Sequence, residues 1–475
     1  MKRLCLTPAA AFVILAGGCA TTTAAGPADA IVQTTSGRIS GTFETGMPVY
    51  RGVPFAKAPV GALRWKPPQP ASWDGTLDAT EFGPACPQPV NDDGSPNFGG
   101  YAGPVSEDCL TINIWTPAEA TDAPIMVWLF GGGGVVGAGS VDTYNGSSFA
   151  RDGVILATIN YRLGALGGFA HPAISADAKD GTPVTNIHLL DAIAALQWMK
   201  DNAEAFGGDP DSIIVFGESA GATMTANIVT SPLAEGLIDK AIIQSSGSLR
   251  AGSLPLEMAE ARGGRLAGDL GLSSTNATLQ ELQALDAFAI LSNREFGRGS
   301  RTVEDPVVKP QSIIEAFRAG TEIDIPMIIG TNSDEGRLAG TQEVATLAQD
   351  GAPVWQYFFH YVASSMREQN PNGAPHAHEI PFVFDTLNRY PRVPAPTEED
   401  QRAADTLHGC WVAFAKLPAG STGIDCGDGF VWPARTDANG QTVAIFEAAP
   451  RLGVASGLKS PPNGAAPGRT SRPGS

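Results

Sequence analysis

The segment Gly217–Gly221, with the sequence Gly-Glu-Ser-Ala-Gly, constrains this chain more than any other feature. It follows the short β-branched and aromatic run Ile213–Phe216 and precedes the helix-compatible run Ala222–Asn227. A strand-to-helix turn of the form Gly-X-Ser-X-Gly is so tight that it needs small residues on both sides, and it leaves its serine exposed. The N–H groups at the start of the next helix favour a developing negative charge there. The pattern therefore predicts a nucleophile at Ser219, with a chance match in a loop as the alternative.

A second glycine cluster, Gly131–Gly134, follows the apolar run Ala123–Phe130. Glycine lets the backbone approach a ligand closely and turn its N–H groups towards it. An oxyanion hole needs such donors about 2.7–3.1 Å from the developing oxyanion. In an α/β-hydrolase one donor follows the nucleophile, here Ala220, and the others come from an earlier glycine-rich loop. The cluster favours an oxyanion loop over a flexible turn between strands.

Further motifs stand in a fixed order around the two glycine segments. They are Arg51–Ala56, Pro59–Gly61, Leu63–Trp65, Ser106–Trp115, Asn160–Gly167 and Ala205–Pro210. With them, the chain resembles the type B carboxylesterase/lipase family, which includes the cholinesterases, over about residues 31–452. The resemblance implies an α/β-hydrolase fold: a mostly parallel central sheet with helices on both faces and helical insertions over the active site.

The family completes its catalytic set with an acid, usually glutamate, in the chain order Ser, acid, His. The segment Thr331–Gly336 follows the strand-like run Pro326–Gly330 and resembles the family motif Asn-X-Asp-Glu-Gly. The resemblance implies that Glu335 is the acid. Asp334 is the rival residue, and its alternative role is that of a turn or capping aspartate.

The segment Gly373–Phe384 resembles the histidine motif of the family, Gly-X-X-His-Gly-X-Glu. Alignment places the catalytic imidazole at His376, although the family's next glycine is replaced by Ala377. His378 lies two positions away and by its spacing is not expected to be catalytic, although it could reach the same cleft. The family's later glutamate matches Glu379, which is expected to support the acid from behind.

The chemistry explains why these residue types occur together. A serine hydroxyl is a weak nucleophile at neutral pH and needs an adjacent base. In the implied mechanism His376 takes the proton of Ser219 and later gives it to the leaving alcohol, so that an acyl-enzyme forms, while Glu335 orients the imidazole. Glu218, beside the serine, either shapes the field near the imidazole or bonds to local backbone.

The oxyanion loop departs from the family at both ends. Many relatives have histidine or tyrosine before the glycines and an aromatic residue after them, whereas here Phe130 precedes them and Gly134 is a further glycine. We expect the donors to be Gly132, Gly133 and Ala220. A slip of one residue in the glycine run stays open.

Composition and charge fit a large globular enzyme. The 475 residues carry a formal net charge of −18, which disfavours nucleic acid, because its binding depends on neutralising phosphates with Lys and Arg. Strand-like and helix-like runs alternate, as at Val154–Ile159 and Leu189–Met199, which is typical of a parallel sheet covered by helices. The section from about Gly252 to Arg301 reads as helical, and inserts in this position cover the active-site mouth in the family.

The N-terminus has the features of an export signal. Lys2 and Arg3 precede an apolar run, Leu4–Leu15, that is too short to span a bilayer. The following segment resembles a bacterial lipoprotein cleavage site, with Cys19 as the lipidated first residue; ordinary cleavage further on is the alternative. The predicted organisation is a signal peptide at 1–18, a tether at 19–30, one carboxylesterase domain at 31–454 and a disordered tail at 455–475.

Export is compatible with disulfides. Cys86 and Cys109 match an early disulfide of the family. Cys410 and Cys426 either pair across a loop, which is favoured, or remain two buried thiols. No Cys/His spacing indicates a metal site and no glycine fingerprint indicates a nucleotide, so no cofactor is expected.

Two classes of function remain at this point. The first is a serine ester hydrolase, with amidase or lactonase activity as variants. The second is a catalytically silent binding or adhesion protein on the same fold, but such branches usually lose the serine or the histidine, and this chain keeps both. The interval between Cys86 and Cys109 contains Phe98 and Tyr101 but no tryptophan, which disfavours cholinesterase activity. The expected partner is a small-molecule ester, with membrane contact only through a lipid anchor.

Overall fold

The computed structural model describes residues 30–179, 181–293, 302–439 and 441–459. The predicted signal peptide, Cys19 and all but the last residue of the tether lie outside the described residues, as does the chain from residue 460 onward. The described chain extends beyond the expected start of the tail at residue 455, because Ala455–Gly457 forms a turn of 3-10 helix with Ala455 buried.

Fifteen β-strands lie within the described residues. They are β1 (Ala30–Thr34), β2 (Gly37–Glu44), β3 (Met47–Pro54), β4 (Thr76–Asp78), β5 (Thr111–Trp115), β6 (Ala123–Leu129), β7 (Ile155–Ile159), β8 (Gly208–Glu218), β9 (Lys240–Gln244), β10 (Met327–Asn332), β11 (Val354–Phe359), β12 (Gly423–Asp425), β13 (Val431–Pro433), β14 (Thr442–Phe446) and β15 (Arg451–Val454).

The same residues contain twelve α-helices. They are α1 (Ser147–Arg151), α2 (Gly164–Gly168), α3 (Pro172–Asp177), α4 (Ile187–Asn202), α5 (Ala220–Val229), α6 (Leu256–Asp269), α7 (Leu279–Gln283), α8 (Ala287–Leu291), α9 (Ile313–Ala319), α10 (Leu338–Ala348), α11 (Ile380–Val383) and α12 (Glu398–Ala415).

One large sheet forms the centre of the protein. Its strands follow the order β1-β2-β3-β5-β7-β6-β8-β9-β10-β11-β14-β15, with β4 beside β2, while β12 and β13 form a separate pair. Neighbours are parallel from β7 through β14 and antiparallel along the path at both ends. Every residue of β5, β7, β9, β10, β11 and β14 is buried, which is expected where helices cover both faces of a sheet. The predicted α/β-hydrolase fold is confirmed.

The parallel strands bring the predicted site residues to one edge of the sheet. Strand β8 pairs with β6 and β9, and Leu129, at the end of β6, lies opposite Gly217. Strand β10 pairs with β9, and Gly330 lies opposite Gln244. Because parallel strands all end at the same edge, the segments that follow β6, β8, β9 and β10 meet there.

The expected helical insertion lies between β9 and β10. Helices α6, α7 and α8 occupy it, and residues 294–301 lie outside the described part of the chain. The helices form a separate hydrophobic cluster with α2, α3 and Trp65. Gly252 and Thr302, near the two ends of the insertion, line the cavity beside Ser219.

Candidate active site

Ser219 lies at a strained turn between β8 and α5. Its backbone has φ 57° and ψ −116°, a conformation that residues other than glycine rarely adopt and that is typical of functional sites. A Cβ atom at Gly217 would lie 2.6 Å from the carbonyl oxygen of Leu129, and one at Gly221 would lie 1.9 Å from the same oxygen. The two glycines are therefore required because the turn presses against the end of β6.

The structure brings Ser219, His376 and Glu335 together. The Oγ of Ser219 lies 2.8 Å from Nε2 of His376, and Nδ1 of the same ring lies 2.5 Å from Oε2 of Glu335. The imidazole is about one-third exposed, whereas the Glu335 side chain is 3% exposed. The arrangement can pass a proton from the hydroxyl to the imidazole while a buried carboxylate faces the opposite nitrogen.

Three donors hold the second oxygen of Glu335. Its Oε1 accepts hydrogen bonds from Oγ of Ser245, from Oγ1 of Thr331 at 2.5 Å and from the backbone N–H of Asn332 at 2.6 Å. Burial disfavours the charged form, but the hydrogen bond and charge of His376, the nearby guanidinium of Arg337 and the Ser245 hydroxyl together lower the pKa of Glu335 below its ordinary value. Glu335 is thus held as an anion.

Two more buried glutamates lie close to this anion. Oε1 of Glu218 is 3.1 Å from Nδ1 of His376. Burial, followed by the negative charges of Glu379 and Glu335, raises the pKa of Glu218 well above its ordinary value. Burial and Glu335 also raise the pKa of Glu379 to about 7, although its Oε2 accepts a 2.6 Å hydrogen bond from Nδ2 of Asn332. Of the three carboxyl groups, Glu335 is therefore the one that most favours negative charge.

The glycine loop after β6 has the conformation that only glycine adopts readily. Gly132, Gly133 and Gly134 have φ of 103°, 66° and 70°, and a Cβ at Gly132 would lie 2.1 Å from the carbonyl oxygen of Val136. Among the described residues, no acceptor bonds to the N–H of Gly132, Gly133 or Ala220. Gly133 and Ala220 line the cavity at Ser219. These N–H groups are available to a substrate oxygen.

Two side chains that the sequence analysis did not single out hold this loop. Tyr161 donates a 2.5 Å hydrogen bond to the carbonyl of Phe130, and the two rings stack with centroids 4.3 Å apart. The Gln88 amide donates to the carbonyl of Gly137 and accepts from its N–H. Tyr161 belongs to the family motif Asn160–Gly167. Gln88 gave no signal, because nothing in its local sequence indicates a partner 49 positions away.

Ser245 was also missed. It follows the buried strand β9, and it has a positive φ of 55° despite having a side chain. Its hydroxyl bonds to Glu335, and its carbonyl accepts from the Arg337 guanidinium. A polar residue directly after a buried strand, at the edge where the elbow lies, is the signal that would have found it.

The rival site residues have other contacts. His378 is buried, its Nε2 accepts from the N–H of Ala363 at 3.1 Å, and burial lowers its pKa to about 4. Asp334 forms a backbone hydrogen bond to Ala374, and it is Glu335 that faces His376.

Most of the other histidines make local structural contacts. The rings of His171, His188 and His408 each bond to nearby backbone. His188 also lies in the wall of the cavity at Ser219, a position that the sequence did not indicate. His360 stacks on Phe358, with ring centroids 6.3 Å apart.

Two disulfides lie within the described residues. Cys86 pairs with Cys109, and Cys410 pairs with Cys426, so the second pair does not consist of buried thiols. Structural disulfides are typical of extracellular and periplasmic proteins.

Among the helices that the structure describes, none has the length and apolar character needed to cross a membrane. Within the described residues, no group of three or more His, Cys, Asp or Glu side chains is placed to hold a metal ion.

A cavity of about 330 Å³ opens beside Ser219. Its walls come from the glycine loop, from helix α5, from the segment after β9 and from the two ends of the helical insertion. A substrate in this cavity lies against both the serine hydroxyl and the free N–H groups. The arrangement fits attack on a carbonyl carbon whose oxygen gains negative charge.

Comparison with known proteins agrees with this geometry. The profile of the carboxylesterase family matches residues 28–346 and 338–450. The chain is 32% identical to a para-nitrobenzyl esterase of Bacillus subtilis (strain 168) over 87% of this chain and 94% of that protein. It is also 32% identical to a phenmedipham hydrolase of Pseudarthrobacter oxydans over 81% of this chain and 90% of that protein.

A solved structure of a PNB esterase superposes with a TM-score of 0.78 at 30% identity, covering 89% of this chain and 96% of that one. The matched residues include every segment that forms the site described above. The chain therefore belongs to the carboxylesterase family, and it is a carboxylic-ester hydrolase with the α/β-hydrolase fold.

Proposed function

We propose that this protein hydrolyses small carboxylic esters through an acyl-enzyme on Ser219, with His376 as general base and acid and Glu335 as the residue that orients the imidazole. The observation that carries the proposal is the unbroken chain of hydrogen bonds from the Ser219 hydroxyl through both ring nitrogens to Glu335, with lengths of 2.8 and 2.5 Å. A serine becomes a useful nucleophile when a base at this distance removes its proton.

The reaction proceeds in two halves. Nε2 of His376 takes the proton as Oγ of Ser219 bonds to the ester carbon, and the carbonyl oxygen becomes an oxyanion. The intermediate then collapses, His376 gives its proton to the leaving alkoxide, and the acyl group remains on Ser219. A water molecule repeats the sequence, releases the acid and restores the serine.

Glu335 and the free N–H groups stabilise the charges that form in each half. Glu335 faces the imidazolium as an anion, which is consistent with its lowered pKa. The N–H groups of Gly133 and Ala220 are the best placed donors to the oxyanion, because both residues line the cavity at Ser219. Gly132 is the third donor of the proposal. Glu218 and Glu379 support the site without being its charged partner.

The Ser219→Ala variant tests the proposal. We expect its kcat/KM on p-nitrophenyl acetate to fall by about 10⁴-fold, as for other triad deletions, with the fold intact by circular dichroism. Ser246→Ala is the matched control, because this buried hydroxyl bonds to Thr223 and not to His376; it is expected to keep most of the activity. Retention of most of the activity by Ser219→Ala would refute the assignment.

We further propose that the protein is exported and anchored by lipid at Cys19. The support is the resemblance of the segment around Cys19 to a lipoprotein cleavage site, together with the two disulfides. Two or more acyl chains give stable anchoring, because each buried CH₂ contributes about 0.8 kcal/mol. Labelled palmitate is expected in the wild type and absent from Cys19→Ala. A soluble product whose N-terminus lies beyond Cys19 would contradict the anchor.

A further inference from the structure

The cavity beside Ser219 lies on the acyl side of the scissile bond. His376 must reach the leaving-group oxygen in order to protonate it, so the alcohol leaves on the side of the imidazole. Of the described residues that line the cavity, none is His376, Glu335 or Glu218, whereas Gly133 and Ala220 are among them. The acyl chain is therefore the part of the substrate that enters this space.

The cavity wall carries cations and no described carboxylate. Arg162 and Arg337 line it. The charge of Arg162 is balanced by Asp191, which it binds through Nη2 at 2.6 Å and Nε at 2.9 Å. The Nε of Arg337 lies 3.6 Å from Oε2 of Glu335. Each guanidinium thus has a carboxylate partner that lies outside the cavity lining.

A third cation, Lys309, lies directly behind the wall, and no described carboxylate lies within ion-pair distance of its ammonium group. Its residue is 1% exposed, and its Nζ donates to Oδ1 of Asn227, whose residue lines the cavity. The amide of Asn227 is fixed from the other side, because Nδ2 donates to the carbonyl of Thr223 at 2.9 Å. No carboxylate among the described residues forms an ion pair with Lys309. Burial lowers the pKa of Lys309 to about 8, while the charges of Glu315 and Glu304 act in the opposite direction, so the ammonium form still dominates at neutral pH.

A buried ammonium without an ion-pair partner among the described residues acts on a ligand that excludes water from the cavity, and the charges of Glu315 and Glu304 offset only part of this effect. Charges separated by protein interact at an effective dielectric far below that of water. The surface charges that make up the formal net charge of −18 are screened within a Debye length of about 8 Å at physiological salt. The potential in the cavity therefore depends on the charges close to it, among them Lys309, rather than on the overall charge.

We propose that the cavity accepts acyl groups that end in a carboxylate, so that the preferred substrates are hemiesters of short dicarboxylic acids. The free carboxylate lies against Asn227 and is attracted by Lys309, while the ester carbonyl lies at Ser219. This inference rests on the proposed ester hydrolysis by Ser219. It adds the chemical class of the acyl group, which the family resemblance does not supply.

The test compares two esters of the same length, of which one carries a single negative charge and the other is uncharged. Monoethyl glutarate carries the carboxylate, and ethyl glutaramate replaces it with a neutral amide of nearly equal shape. Acid release is followed in a pH-stat at pH 7, and monoethyl succinate and adipate vary the distance to the charge. We expect kcat/KM for the best hemiester to exceed that of its amide by about tenfold, a typical effect of one charge in a partly desolvated site.

Lys309→Met identifies the source of the preference. Methionine keeps the length of the chain but removes the charge, so the ratio of hemiester to amide is expected to fall to about one. Lys240→Met is the matched control, because Lys240 is also buried but donates to the carbonyl of Ala415, a residue that does not line the cavity; its ratio is expected to match the wild type. Asn227→Asp places a carboxylate beside Lys309. It is expected to abolish the preference as well, because the new negative charge neutralises that of the ammonium.

The outcomes separate the two proposals. A wild type that hydrolyses p-nitrophenyl acetate but shows no preference for the hemiesters, or does not turn them over, refutes the acyl-group inference alone. A wild type in which p-nitrophenyl acetate hydrolysis does not depend on Ser219 refutes the proposed function. A preference that persists unchanged in folded Lys309→Met and in Asn227→Asp shows that Lys309 is not its source and overturns the inference as stated.

Discussion

The nucleophile side of the active site is built from backbone, whereas the acid side is built from buried polar side chains. At the elbow, Gly217 and Gly221 leave no room for a Cβ against the Leu129 carbonyl, and the geometry follows from that steric fit. On the acid side, Glu335 is held by hydrogen bonds from Ser245, Thr331 and Asn332. The nucleophile side depends on positions that have no side chain, and the acid side depends on hydrogen bonds between particular side chains.

The acid side also extends much further through the molecule. Asn332 links Glu379 to the carbonyl of Pro375. The Gln244 amide lies 3.4 Å from Glu379 and accepts from Nε1 of Trp411 on helix α12. Trp411 is next to Cys410, which the disulfide ties to Cys426. We infer that damage to the elbow is local, whereas the acid side responds to changes at a distance.

The largest expected effect comes from the residue that joins the two sides. His376→Ala removes the base between Ser219 and Glu335, and we expect kcat/KM on p-nitrophenyl acetate to fall by about 10⁴-fold. His378→Ala is the matched control two positions away. It is expected to stay within about tenfold of the wild type, because among the described residues its ring accepts a hydrogen bond from the backbone of Ala363 and forms none with Ser219 or Glu335. If the two variants exchanged their behaviour, the alignment of this segment would be wrong.

The second prediction concerns a substitution that disturbs the nucleophile side alone. A Cβ at Gly221 would lie 1.9 Å from the Leu129 oxygen, and this contact is with backbone, so Gly221→Ala forces β6 and the turn apart. We expect the free energy of unfolding to drop by about 3 kcal/mol, measured by urea denaturation. Gly268→Ala, in helix α6 with only an ordinary 3.6 Å contact, is expected to be neutral or slightly stabilising. Equal effects at the two glycines would contradict the steric account.

The third prediction concerns the acid side and its dependence on pH. The pKa of Glu379 is raised to about 7 from an ordinary value of 4.5, so the folded protein binds its proton more tightly than the unfolded chain does. The stability that this contributes is complete below pH 4.5 and is lost as the pH rises through 7.

Glu379→Gln removes this titration. We expect the wild type to lose about 2 kcal/mol more stability between pH 5 and pH 8 than the variant does, measured by urea denaturation at both pH values. An equal or smaller loss in the wild type would show that Glu379 is not the titrating group.

The two sides also differ in how far the sequence alone predicts them. The elbow and the glycine loop could be predicted, because steric demands leave glycines at fixed spacings. The fold followed from the family resemblance and from the alternation of strand-like and helix-like runs. His376 and Glu335 needed the family resemblance, since a lone histidine or glutamate has no local signature. Gln88 could not be found from local sequence, because it acts on a group 49 positions away. For Ser245, which acts on a group 90 positions away, the only local signal is its place directly after a buried strand. The position of Lys309 could not be predicted from the sequence either, because it is the packing of the folded chain that places its charge behind Asn227.

Covalent labelling of the nucleophile shows whether Ser219 carries the acyl group. The wild type is treated with diethyl p-nitrophenyl phosphate, and the adduct is counted by intact mass and located by peptide mass spectrometry. We expect one adduct per chain, on Ser219, together with complete loss of ester hydrolysis. An adduct on another residue, or hydrolysis that continues after Ser219 is fully modified, would contradict this assignment.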